Sequence, residues 1–252
     1  MKAEVDYVTD VCEHGTASHD GTESSSASAP EASRAWLLIE HPGPWPREPA
    51  EAVLPPPLAA AVSAADALGV RVQMIRRPGR SRLGATRSIY AGWTEGPEPW
   101  LRHAEWSEAS GRRPDPVAAL DLEKLAAGSA PEFGSVVSEP VFLVCTHAQR
   151  NACCARLGGP LVQVLAARYP GQVFQTTHVG GHRFAANLVI LPHGLYYGPV
   201  GVAEATVAID AYQRGTVTAG RYRGRAGQPR PIQEAEHEAL ARAGSLRVGA
   251  LA

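Results

Sequence analysis

Three of the four cysteines in this 252-residue chain fall in one segment, "VCTHAQRNACCARLGG", at Cys145, Cys153 and Cys154. A little further on, "QTTHVGGHRFAANLVILP" carries His178 and His182 around a glycine pair. Thiolates and imidazoles are the side chains that hold borderline and soft metals, so the two segments read as two halves of one ligand set. On a straight strand, four steps of about 3.3 Å would part the histidines by about 13 Å, too far to share a centre. On a helix they would share a face, but each intervening glycine would cost about 1 kcal/mol. The preceding "VFQTT" has strand composition, so the chain is expected to turn at Gly180 and Gly181 and bring both imidazoles to one side. Glycines there also let backbone N–H groups approach a charged cofactor closely.

Cys145 is expected to end a strand, with Cys154 across a polar loop of eight residues, at the start of a helix. Cys153 is its rival by spacing, and of two adjacent cysteines one should face the site while the other packs. Two cysteines and two histidines suit either Zn²⁺ or a 2Fe–2S cluster of mixed ligation. The spacer is unusual for a structural zinc knuckle, yet the residues alone leave both open.

The elements that must position these residues can be read around them. "WLLIEH" (36–41), "VRVQMIRR" (70–77), "TRSIYAGW" (86–93) and "PWLRHAEW" (99–106) have strand character, with helices at 55–69 and 115–128. "PVFLVCTH" (140–147), "QVFQTTHV", "AANLVILP" and "GLYYGPV" read as strands, and 159–171 and 202–215 as helices. Both halves thus run β-α-β-β with a trailing helix, an arrangement typical of thioredoxin-like domains. A shift of 101 residues lays Gly79 over Gly180 and Arg77 over His178, so the first half reads as a copy without the ligands. The division expected is a largely structureless segment 1–34, rich in Ser, Ala, Thr and Gly, an α/β half 35–135, a ligand-bearing half 136–220, and a tail 221–252 with a short helix.

"CTHAQRNACCA", "HVGGHRFAAN" and "WLLIEHPGPW" together resemble the signatures of the sucrase/ferredoxin-like family, a branch of the thioredoxin-like ferredoxins; "YYGPV" and "GRYRGR" resemble its later segments. The resemblance spans residues 36 to 235 and is strongest over 141–200. It implies an α/β chain whose C-terminal half is a thioredoxin-like ferredoxin domain, preceded by a degenerate thioredoxin-like half. It also implies a 2Fe–2S cluster on Cys145, Cys154, His178 and His182, and with it an electron-transfer or redox role. The partner would be a redox protein or a small-molecule electron acceptor. By analogy with Rieske centres the potential would lie at about −150 to +300 mV and fall as pH rises. Asn151 departs from the aspartate usual in the family, which removes a carboxylate beside the ligands. Nothing here supports a sucrase: glycoside hydrolysis needs a placed carboxylate pair, and the ligand region has none. The other readings are a structural zinc protein and thiol chemistry at Cys145, the latter weakened by the lack of Cys-x-x-Cys.

Among the remaining residues, His147 is expected to be solvated and Cys12 and His14 to be non-ligands, while Arg150 could balance charge, bind a partner or be a surface arginine. Asn187 could support the site or simply hydrogen-bond a turn. "RYRGR" (221–225) reads as a solvated basic tail, and the five tryptophans between Trp36 and Trp106 read as core. A formal charge of −1 offers no electrostatic case for nucleic acid or an anionic membrane surface. No apolar run approaches the ~18 residues that span a bilayer. The start "MKAEVDYVTD" lacks an apolar signal region, so a cytoplasmic, reducing setting is expected, in which clustered cysteines are ligands or catalysts rather than structural disulfides.

Overall fold

The computed structural model describes residues 27–79, 86–108 and 115–251. The readings at Cys12, at His14 and over residues 1–26 lie outside the described residues. Continuous apolar runs bounded by turn residues become strands buried on both faces, and the chain is α/β around a mixed ten-stranded sheet. Strand β1 (Ala35–Glu40) leads through helix α1 (Pro56–Ala67) to β2 (Arg71–Arg76), β3 (Thr86–Trp93), β4 (Trp100–Ser107), short helix α2 (Leu122–Ala126) and β5 (Ser135–Val136). The second half repeats the order: β6 (Val141–Cys145), α3 (Ala152–Arg168), β7 (Val173–Thr176), β8 (Leu188–Leu191), β9 (Leu195–Tyr197) and α4 (Val202–Gln213). Then β10 (Thr216–Thr218), β11 (Tyr222–Arg225), α5 (Arg230–Ala243) and β12 (Ser245–Arg247) follow. The main sheet runs β11-β9-β8-β6-β7-β2-β1-β3-β4-β5, while β10 and β12 form a separate pair.

The repeat is visible in the pairing. β1 lies parallel to β2 and antiparallel to β3, as β6 does to β7 and β8. The halves meet where β2 and β7 pair antiparallel, with Ile75 facing Thr176. These two residues are 101 apart, so each faces its own counterpart under the shift read in the sequence. Glu40 pairs with Ile75 as Cys145 pairs with Thr176. Glu40 and Arg77, an ion pair at 3.9 Å, therefore hold the places that Cys145 and His178 hold in the second half. A thiol and an imidazole on one side of the seam are matched by two opposite charges on the other.

Alternation along the central strands sends Trp36 and Leu38 of β1, with Leu143 and Cys145 of β6, into one cluster shared by both halves. Leu37 and Ile39 join the cluster under α1, and Phe142 and Val144 join the one under α3, α4 and α5. Burying each such large side chain contributes about 1.5–3 kcal/mol.

Four elements depart from the sequence reading. Helix α3 begins at Ala152, not at 159, because the Asn151 side chain caps it, accepting from the Cys153 N–H at 2.9 Å. Its buried side chains are Cys153, Cys154, Leu161, Val162 and Leu165, while Val164 faces solvent. The segment expected as a helix over 115–128 is helical only over Leu122–Ala126. Residues 27–34, read as structureless, are held by Gln233, which donates to the Ala29 carbonyl at 3.0 Å and accepts from its N–H at 2.9 Å. The "RYRGR" segment is no solvated tail, since Tyr222–Arg225 form a buried strand of the main sheet. There Arg225 pairs with the buried Glu236 at 2.6 Å.

Candidate metal centre

Cys145 closes β6 and is fully buried; Cys154 lies in the first turn of α3 and is equally buried. The helix reaches so close to the strand because Gly158 has no side chain, as a Cβ there would stand 2.1 Å from the Cys145 carbonyl oxygen. Gly158→Ala is expected to cost about 3 kcal/mol, at the upper end of overpacking effects, because the obstructing atom is backbone. Urea unfolding would measure it; an unchanged midpoint would mean that α3 can slide off the strand.

His178 arrives from the other side, two residues past β7. The structure brings Cys145, Cys154 and His178 together, each offering a ligand atom within 4.8 Å of the others. The Nδ1 of His178 is buried and has no hydrogen-bond partner. Gly180 and Gly181 take left-handed backbone angles, φ 96° and 67°, and turn the chain as expected. His182 then opens a 3-10 turn at His182–Phe184, its ring centroid 6.3 Å from that of His178. It stands outside the close group of three ligand atoms.

The two free thiols differ sharply. The Cys154 thiol hydrogen-bonds to Cys145 and holds the Cys145 thiol well below its usual range; burial opposes this, and His178 and the His147 N–H assist. Cys154 is pushed up, first by that same hydrogen bond and then by burial. One proton shared by two buried sulfurs suits a thiolate pair completed by a cation. Cys153 is disulfide-bonded, so its sulfur is already engaged. That disulfide departs from the expectation that the clustered cysteines serve as ligands or catalysts rather than in disulfides.

Several supporting residues were misread or missed in the sequence. His147 is buried, not solvated. Its Nδ1 accepts from the His178 N–H at 3.2 Å, which leaves the proton on Nε2 to donate to the Pro46 carbonyl at 2.8 Å. Burial, the largest cause, lowers its pKa and favours this neutral form. The His178 carbonyl accepts from Gln73 at 3.3 Å and from Arg71 at 3.2 Å, both on β2 of the first half. Asn187 is buried and ties the turn, donating to the Gly181 carbonyl at 3.1 Å and accepting from Arg223 at 2.5 Å. Asn151 is a helix cap, and Arg150 is paired with Glu48. Only period-two alternation in "RYRGR" could have signalled the strand that carries Arg223.

The donor set itself, two thiols with an orphaned imidazole nitrogen in a buried pocket, fits a metal centre that takes sulfur and nitrogen ligands. Among the described residues no helix is long and apolar enough to cross a membrane. No solved structure matches this chain. The curated relatives it resembles are proteins named "Altered inheritance of mitochondria protein 32". The one from Eremothecium gossypii is 26% identical over 140 residues, 49% of this chain and 44% of that protein. The one from Meyerozyma guilliermondii is 30% identical over 100 residues, 35% of each. The chain therefore spans less than half the length of these relatives. Their name concerns mitochondrial inheritance and not the transfer of electrons, so the electron-transfer function expected from the sequence is corrected and withdrawn. The family expectation stands apart from that correction: residues 27–224 match the sucrase/ferredoxin-like family, and the chain belongs to it.

Proposed function

We infer that this chain is a metal-centre protein whose Cys145, Cys154, His178 and His182 hold a 2Fe–2S cluster. Its second half is thioredoxin-like and the first half is a degenerate copy. One observation carries the reading: three ligand atoms within 4.8 Å of one another in a buried pocket. When bound, the centre supplies positive charge that lets both buried thiols ionise, and it cross-links β6, α3 and the turn after β7. Cys145 is already disposed to lose its proton, and the His147–His178 contact fixes the incoming backbone. The ring of His182, at 6.3 Å from that of His178, is near enough to serve the same multi-atom centre. Because two ionised thiols without a cation are unfavourable in such a pocket, the second thiol gives up its proton only as the centre loads, and loading releases a proton.

Metal and acid-labile sulfide analysis of the purified chain tests this. About two iron and two sulfide per chain are expected. One zinc without sulfide would overturn the cluster, and a metal-free folded chain would overturn the centre. Cys145→Ser and Cys154→Ser should each abolish loading, whereas Cys153→Ser should retain it. Full iron content in His182→Asn would remove His182 from the ligand set.

A further inference from the structure

The two cysteines are wholly buried, but His178 is only partly so, and it lines a cleft of about 740 Å³. That cleft runs along the seam between the halves. Its walls come from β2 (Arg71, Gln73), from the β6–α3 loop (His147, Arg150) and from the segment between β1 and α1 (Glu48, Ala50). The last of these segments belongs to the first half yet lies against the second. Trp45 meets the His147 ring edge-on at 6.1 Å, Pro46 accepts from the same histidine, and Glu48 pairs with Arg150. The Glu48–Arg150 pair is exposed, with side-chain exposures of 51% and 36%, so it can open at little cost.

We propose that this cleft is the route by which a metal centre reaches and leaves Cys145, Cys154 and His178, and that the Glu48–Arg150 pair is its clasp. His178 is the ligand that presents the buried thiols to the cleft. Segment 42–51, carried by the half that lacks ligands, acts as a strap over the site, which gives the ligand-free half a use. The proposal rests on the metal-centre reading above, and its test is chosen to separate the two.

The full chain and three variants are compared in two measurements. The first is the rate at which a chelator strips metal from the purified protein. The second is the rate at which iodoacetamide alkylates Cys145 and Cys154 in the stripped full-length chain, followed peptide by peptide. Glu48→Gln and Arg150→Gln should raise both rates several-fold. Ala50→Trp, which fills the cleft from an exposed position, should lower both several-fold. Raised salt should speed the wild-type chain and leave Arg150→Gln unmoved. Alkylation rates equal to wild type in all three variants, or faster in Ala50→Trp, would overturn the route. A chain that carries no metal would instead overturn the metal-centre reading, while the alkylation rates would still decide the route.

Discussion

Arg223→Met is expected to destabilise the protein by about 3 kcal/mol and to loosen the grip on the metal centre with it. Arg223 is almost wholly buried. Its guanidinium donates to the Ser28 hydroxyl at 3.1 Å, the Ser28 carbonyl at 2.8 Å and the Asn187 side-chain oxygen at 2.5 Å. It also lies over the rings of Phe184 and Tyr196 at 4.5 and 5.6 Å. None of these partners is a carboxylate, and burial brings its pKa down to about 10. Methionine would relieve that desolvation, yet it would leave two or three acceptors without donors, at about 1–3 kcal/mol each. The second effect is the larger, so the sign is destabilising.

The consequence reaches the site because the guanidinium fills the space beside the turn. A Cβ on Gly181 would stand 2.2 Å from its Nη2, and Asn187 links Arg223 to the Gly181 carbonyl. Releasing that support frees the segment that carries His178 and His182. Urea unfolding and metal content, measured on the same preparation, check the prediction. Arg223→Lys should not restore either, because an ammonium cannot make the forked contacts. A variant with wild-type midpoint and wild-type metal content would show that the turn holds itself.

Stability is expected to fall as the solution is acidified below about pH 6.5. His41, His103, His193 and His237 all have pKa values lowered from the ordinary 6.5, with burial the first cause in each. His193 falls furthest, to about 4. Its Nδ1 lies 2.6 Å from the Tyr212 hydroxyl, and the burial around it disfavours the charged ring. These are depressed bases, so the unfolded chain binds protons that the folded chain refuses. Stability is then intact above about pH 6.5 and is lost as pH falls toward 4. Over that window His193 alone contributes about 3 kcal/mol at full effect. About 2 kcal/mol is expected after allowing for its remaining contact with water. Unfolding midpoints between pH 7.5 and 4.5 would show the slope, and His193→Gln should flatten it. A stability that held level or rose on acidification would contradict the assignment.

The α/β order of the two halves was legible because it is written locally. Continuous apolar runs in "WLLIE" and "VFLVC" make buried strands wherever they lie, and Gly180-Gly181 is a turn because only glycine accepts those backbone angles easily. The repeat of 101 residues was also in the sequence, though so faint that only the pairing of Ile75 with Thr176 makes it plain. Where a helix starts is less local. Asn151 can cap α3 seven residues earlier than expected because Gly158 lets the extra turns pass close over β6.

By itself, then, the sequence determined the α/β class, the family resemblance and the chemical nature of the candidate ligands. The tertiary structure decided which polar side chains have work to do. His147, Arg223 and residues 27–34 look like surface in the sequence because their side chains are polar or small. His147, Arg223 and Ala29 are buried because distant segments bring them partners: Pro46 and the His178 backbone for His147, Ser28 and Asn187 for Arg223, Gln233 for Ala29. Burying a polar group is costly until its hydrogen bonds are met. Whether they are met depends on contacts between residues up to about 200 positions apart, which no local pattern records.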